Sequence, residues 1–310
     1  MRSLSGLVAK VRLPFPFSHP NWPIDVPRPA PKSTLGANFD SAWGRRREVR
    51  AVRALITDYV TRPALRAVTS PEVTGLERIA HIKAPVIFAA NHASHLDTPL
   101  LLASLPERFR HKTSIGAGAD YFFDKRWKSY LWTFLLAAIP IERNRVSRKS
   151  SDLALAVLAE GWSLVLFPEG GRTPDGFNRE FKGGVALLAL QAGVPVIPVY
   201  IGGTFEVLGK GSDKLRPGPT AVNFGAPLMP EGREMRAFAK EIEGSVTQLG
   251  DEVHYDYWTA LQRRSHGAET PAADDRRRTW IDYWQRPTVA GREEDRKKTW
   301  PRLPIINRPI

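Results

Sequence analysis

The sequence predicts an α/β fold: a mostly parallel mixed sheet flanked by helices, with an N-terminal amphipathic helical segment and a basic C-terminal tail. Three observations carry this. From about residue 75, apolar runs of strand length alternate with helical segments of ten to twenty residues, the pattern of a sheet with parallel character. Two polar loops, "NHASHLD" and "PEGGRTPDG", start where an apolar run stops, and such sheets gather ligands at the carboxyl ends of their strands. Composition changes at both ends of the chain, with a proline cluster, "HPNWPIDVPRPAPKS", before the helical segment.

Residues 1–42 read as an extended, proline-rich arm with polyproline character. In 43–74, Val49, Val52, Ile56 and Val60 recur at helical spacing until Pro63 interrupts the run. Arg45, Arg46, Arg47, Arg50 and Arg53 crowd the start of that helix. They form either a solvated basic face or a phospholipid headgroup contact.

Residues 75–260 hold the sheet. Strands are expected at 85–91, 112–118, 139–143, 162–167, 194–203 and 220–228. Between them fall helices at 98–105, with Asp97 a candidate N-cap, at 121–138, and over "DLALAVLAEG" with Ser150 or Ser151 as cap. Two more are expected at 182–193 and 233–257, the last with Met235, Phe238, Ile242, Val246, Leu249 and Val253 as one core-facing stripe. Residues 121–138 mix aromatics with Lys125, Arg126 and Lys128. That mixture suits either a membrane interface or a helix half-buried on the sheet. The tail, 261–310, carries twelve Arg and Lys against seven Asp and Glu, interspersed with Trp280, Trp284 and Trp300.

A 310-residue chain with 42% hydrophobic residues builds a substantial core, and its formal net charge of +13 favours an anionic partner. There are no cysteines, which excludes disulfides, thiolate metal sites and a cysteine nucleophile. The first residues lack the apolar stretch of a signal peptide, and no window reaches the roughly 18 apolar residues of a spanning helix. Membrane contact is therefore expected to be peripheral or monotopic.

Several chemistries lose support at once. "GWSLV" lacks the last glycine of a nucleophile elbow, "GAGADY" lacks that of a dinucleotide fingerprint, and "GTFEVLGKGS" fails the phosphate-loop spacing. There is no HExxH, no RNP-like block and no zinc spacing.

His92 and Asp97 remain, five residues apart. On a straight helix that spacing turns through about 500°, so the two would not share a face. They meet if His92 sits in a turn and Asp97 begins the next helix. The aspartate would then fix the imidazole tautomer, and His92 would remove a proton from an alcohol. The alternative is a polar turn with an ordinary helix cap. In "LFPEGGRTPDG", Glu169, Gly170, Gly171 and Arg172 suit an anionic ligand, or else form a surface loop with an ion pair. "IPIER" with Arg143, and "VPVIPVY", are weaker alone.

In this order and spacing, "NHASHLD", "IPIER", "FPEGGRT" and "VPVIPVY" resemble the four blocks of the glycerolipid acyltransferases of the 1-acylglycerol-3-phosphate (lysophosphatidic acid) acyltransferase type. The resemblance covers roughly residues 75–230. It implies an acyltransferase of phospholipid biosynthesis that moves a fatty acyl group from an acyl thioester to the free hydroxyl of 1-acylglycerol 3-phosphate, giving phosphatidic acid. His92 would be the general base, with Asp97 orienting it. Arg143, Glu169, Gly170, Gly171 and Arg172 would hold the phosphate and glycerol of the acceptor. No metal or resident cofactor is implied and no acyl-enzyme is needed. The implied co-substrate is acyl-CoA or acyl carrier protein. The implied partners are a lysophospholipid acceptor and an anionic membrane surface at the cytoplasmic face, with no nucleic acid.

Two positions depart from the family pattern: Ala93 replaces a frequent glutamine, and Gly171 replaces the usual Thr or Ser. The second removes a hydroxyl from the loop that, by the resemblance, would hold the phosphate. Glycerol 3-phosphate or another polar lipid as acceptor, and a non-catalytic basic membrane-binding module, are the alternatives. His95 reads as a loop histidine.

Overall fold

The computed structural model describes residues 35–143, 148–212, 214–255 and 257–265. The arm expected before residue 35 and the tail beyond 265, with Trp280, Trp284 and Trp300, lie outside the described residues.

The chain enters through helix α1 (Arg47–Ile56), a π-turn (Thr57–Thr61) and α2 (Arg62–Thr69). Pro63 does not break this run as its position predicts. It falls in the first turn of α2, where its missing N–H costs little, and the preceding π-turn takes up the mismatch. Strand β1 (Pro71–Thr74) follows, then β2 (Ile87–Ala90), α3 (Asp97–Ser104), α4 (Glu107–Arg110) and β3 (Thr113–Gly118). Helices α5 (Ala119–Phe122) and α6 (Arg126–Leu136) replace the single helix expected over 121–138 and lead to β4 (Ile139–Ile141). Helix α7 (Arg148–Ala159), β5 (Ser163–Leu166), α8 (Gly184–Ala192), β6 (Val196–Gly202), α9 (Thr204–Leu208), β7 (Thr220–Phe224), α10 (Met235–Tyr255) and α11 (Tyr257–Ser265) complete the order. Because α7 already starts at Arg148, Ser150 is not its cap. The Ser150 hydroxyl instead accepts the Glu142 backbone N–H.

The seven strands form one sheet in the order β1-β7-β6-β2-β5-β3-β4, parallel at every pairing except β6–β7. Strand β1, too short and polar for the sequence pattern to separate from the helical segment, extends the sheet to residue 71 on β7. Alternation builds two cores. Ile87, Ala89, Leu164, Leu166 and Val196 face α7, α8 and α10, whose Phe238, Ile242 and Val246 pack there. Phe88, Ala90, Val165, Ile197 and Val199 face the other way, onto Leu100, Leu101 and Leu105 of α3 and Phe109 of α4. Burial of both faces explains why β2, β5 and β6 read as unbroken apolar runs.

The first helix is turned opposite to the usual amphipathic sense. Arg53 is only 7% exposed, with Nη1 donating to the carbonyls of Gly44, Thr133 and Phe134. Burial, with the charge of Arg50 adding to it, pushes the Arg53 guanidinium down to about 10. The Arg45 guanidinium is likewise buried, against Glu160. These two arginines therefore tie α1 to the domain and form no solvated face, whereas Arg46 and Arg47 stay exposed. Val52, Leu55, Tyr59 and Val60 point outward, Leu55 at 59% exposure.

Candidate active site

Five parallel strands deliver side chains to one end of the sheet: β2 leads to His92, β3 to Asp120, β4 to Arg143, β5 to Glu169 and β6 to Thr204. This is the carboxyl edge at which open α/β sheets bind ligands.

His92 and Asp97 meet. His92 Nδ1 lies 2.8 Å from Asp97 Oδ2, so the Nδ1–H donates to the carboxylate and Nε2 is left to accept a proton. Asp97 is 1% exposed and opens α3, but it does not cap that helix as expected; Leu96 is the N-cap residue. Its Oδ2 instead accepts the backbone N–H groups of Ala93 (2.7 Å) and Ser94 (2.8 Å), which shapes the turn carrying His92. Its Oδ1 accepts the Thr204 hydroxyl at 2.5 Å. One carboxylate therefore holds the His92 ring, the turn and the start of α9 together.

Three residues that support this arrangement are not evident from their spacing. Phe167 stacks on the His92 ring with centroids 4.0 Å apart and 20° between planes. Asn91 bridges to β6, its side chain donating to the Ile201 carbonyl and accepting the Ile201 N–H. Thr204 is the third. The only signal for them lies in the blocks that contain or adjoin them.

Glu169 does not pair with Arg172. Its Oε1 accepts the His92 backbone N–H at 3.1 Å, and the His92 carbonyl accepts the Thr173 N–H at 2.9 Å. The loops after β2 and β5 are thus laced together through the backbone of His92. Burial pushes the Glu169 carboxyl up to about 8, against the opposing His92 N–H, with the Asp97 charge adding to the rise. Its buried Oε2 has no hydrogen-bond partner at normal geometry among the described residues.

Because the folded value lies above the ordinary 4.5, Glu169 supports the fold fully below that pH. The contribution is lost as pH rises through about 8. Glu169→Gln keeps the acceptor for His92, so thermal melts between about pH 5 and 9 should show the wild-type Tm falling relative to this variant. Glu169→Ala leaves the N–H unpaired and is expected to cost about 1–3 kcal/mol.

A cavity of ≈ 890 Å³ opens beside the dyad, lined on its polar side by His92, Arg143, Gly170, Gly171 and Lys182. Apolar side chains such as Leu102, Ile115, Trp132 and Leu188 form the rest. Its size lies in the roughly 300–1,000 Å³ range of ligand sites. Arg172 is half-buried and is not among the lining residues. Partial desolvation at the cavity wall, the larger cause, and the nearby Arg172 charge together hold the His95 imidazole below its usual range, with His92 adding to the fall and Asp97 opposing it. His95 is exposed on its loop at the cavity and stacks on Tyr121. Among the described residues no group of three His, Cys, Asp or Glu is placed to hold a metal ion.

The acyltransferase family model matches residues 70–202. A 1-acyl-sn-glycerol-3-phosphate acyltransferase of Limnanthes alba is 32% identical over 162 residues, covering 51% of this chain and 54% of that one. The alpha form of that enzyme from Mus musculus is 27% identical over 182 residues, covering 56% and 61%. The chain spans about half the length of the curated relatives it matches. The crystal structure of the 1-acyl-sn-glycerophosphate (LPA) acyltransferase PlsC from Thermotoga maritima superimposes with a TM-score of 0.57 at 25% identity. That match covers 71% of this chain and 88% of the other. Four sequence blocks, the shared α/β sheet and these relatives agree: residues 70–202 match the acyltransferase family, and the chain is similar to the 1-acyl-sn-glycerol-3-phosphate acyltransferases over about half its length.

Proposed function

We propose that the protein transfers a fatty acyl group from an acyl thioester to the free hydroxyl of 1-acylglycerol 3-phosphate, with His92 as general base. The observation that carries this reading is the His92–Asp97 pair at the wall of a cavity that is apolar over most of its lining and cationic at one end. Both substrates bring an acyl chain, and the acceptor brings a phosphate.

His92 Nε2 takes the proton of the acceptor hydroxyl, and the oxygen attacks the thioester carbonyl carbon. The tetrahedral intermediate collapses with loss of thiolate. The imidazolium, held by Asp97, returns the proton to that sulfur. Atoms balance without an acyl-enzyme, consistent with a chain that has no cysteine. Acyl-CoA and acyl carrier protein are both chemically competent donors.

Product analysis with palmitoyl-CoA and lysophosphatidic acid, glycerol 3-phosphate or no acceptor tests the reading, with His92→Ala alongside. Phosphatidic acid from wild type alone supports it. Lysophosphatidic acid from glycerol 3-phosphate moves the acceptor one step earlier. Free fatty acid without acceptor makes the protein a hydrolase.

The acyl substrates are met at an anionic membrane surface. Among the described residues no helix is long and apolar enough to cross a membrane. Helices α1 and α6 pack side by side and both turn apolar residues outward: Val52, Leu55, Tyr59 and Val60 from the first helical run, Trp127, Tyr130 and Leu131 from the second. Trp127 is 63% exposed, with Arg46 and Arg47 exposed on the adjacent segment. Burying such side chains in a lipid interface yields about 1.5–3 kcal/mol each. Leu55→Asp with Trp127→Asp should therefore weaken binding to phosphatidylglycerol vesicles at least about tenfold in a flotation assay.

A further inference from the structure

Arg143 is held in an unusual way. It leaves β4 and folds back across Gly118, the last residue of β3. A Cβ at Gly118 would lie 2.4 Å from Arg143 Nε and 2.6 Å from Cζ, so only glycine leaves space for the guanidinium. Asp120, two residues on, grips one edge of the group: Nε donates to Oδ1 at 3.0 Å and Nη2 to Oδ2 at 2.6 Å. That bidentate bond holds the Asp120 carboxyl below its usual range. The remaining nitrogen, Nη1, is turned toward the β5 loop, 3.8 Å from where a Gly171 Cβ would stand.

Lys182 repeats the device from the other side. Its Nζ donates to the Arg143 carbonyl at 2.9 Å and lies over Gly170, where a Cβ would sit 2.6 Å from Nζ. Gly170 has φ +76°, a backbone conformation natural to glycine. Two cations are thus each seated over a glycine, one braced by a carboxylate, and both line the cavity together with His92. Glu142 and Tyr121 line the same region.

We propose that Gly118 and Asp120 are positioning residues for Arg143, and that Lys182 is a second cation on the same ligand, a phosphate monoester. Asp120 occupies the Nε/Nη2 edge and leaves the end-on edge for phosphate oxygens, so the anion binds without displacing it. Gly171, lacking the hydroxyl of the usual Thr or Ser, leaves these two cations to define the contact. The inference rests on the transferase reading. The phosphate belongs either to the acceptor or to coenzyme A, and the kinetics separate the two sources.

The test compares Asp120→Ala, Asp120→Glu, Lys182→Ala and Gly118→Ala in the full chain, varying lysophosphatidic acid and palmitoyl-CoA in turn. Asp124→Asn, a carboxylate paired with Lys128, is the control. Asp120→Ala and Lys182→Ala are expected to raise one substrate's KM about tenfold with kcat within about twofold, the loss of a charge-assisted contact. Asp120→Glu restores most of it. Inorganic phosphate inhibits wild type in competition with that substrate, and about tenfold less well in the two alanine variants. A rise confined to the acceptor KM assigns the site to the acceptor; a rise confined to the donor KM assigns it to coenzyme A. Unchanged KM values and unchanged phosphate inhibition overturn the proposal. So does a fall in kcat and Tm shared by Asp120→Ala and Asp120→Glu. Should wild type transfer no acyl group to any acceptor, the transferase reading fails separately. Phosphorus NMR line broadening of inorganic phosphate by wild type, lost in Lys182→Ala, then decides the anion site on its own.

Discussion

Replacing His92 with alanine is expected to lower kcat by about 10⁴-fold, the upper end of what a positioned general base contributes. Asp97→Asn is expected to cost less, about 10²-fold, for a reason specific to this site. The substituted amide can place its oxygen where Oδ2 stands, still accepting from Ala93, Ser94 and the Nδ1–H of His92. Its NH₂ then faces Thr204, whose hydroxyl turns from donor to acceptor. Turn and tautomer survive; the negative charge that, on the proposed mechanism, would stabilise the imidazolium in the transition state does not. Single-turnover rates at saturating acceptor measure both effects, with circular dichroism reporting that the fold is kept. Equal rates for wild type and His92→Ala would remove His92 as the base.

Arg53→Ala is expected to destabilise the protein by about 2–4 kcal/mol, seen as a lowered thermal midpoint. Truncation withdraws one donor group from three carbonyls, those of Gly44, Thr133 and Phe134, and leaves a void beside Trp162, whose ring lies 5.9 Å from the guanidinium carbon. An opposing effect is the release of a cation whose burial is unfavourable, visible in its lowered pKa. The acceptors are neutral carbonyls and no partner charge is left stranded, which keeps the net cost below that of breaking a buried ion pair. Arg53→Lys should recover only part of the loss, because an ammonium lacks the planar fork. The thermal midpoint should fall without a change in kcat at low temperature, the opposite pattern to the His92 and Asp97 variants.

The sheet and the dyad were legible for a physical reason. Strands β2, β5 and β6 are buried on both faces, so their sequences are continuously apolar and end abruptly at polar loops. His92 and Asp97 could be paired because a turn followed by a helix start is a local geometry. What escaped the sequence depends on distant partners. Strand β1, "PEVT", gains its identity only by pairing with β7. Glu169 stands beside Arg172 in the chain, yet its hydrogen bond goes to the backbone of His92. Arg45 and Arg53 looked like an outward basic face, and their acceptors sit on Glu160 and on the end of α6. Pro63 follows the same logic, since the π-turn that accommodates it is not encoded by spacing alone.

The lacing of the two loops through the backbone of His92 bears on how acceptor choice can be altered. Glu169 and Thr173 hold the N–H and the carbonyl of His92 itself. On the proposed mechanism, a change in the loop over 169–173 that admits a new headgroup would also shift His92, and turnover would fall along with the old preference. An engineer or a drifting lineage would more readily reach new acceptors by recarving Tyr121, Phe122 and Trp132, which line the cavity on other elements. The laced loops would then be inherited intact, as fixed hardware beneath a replaceable wall.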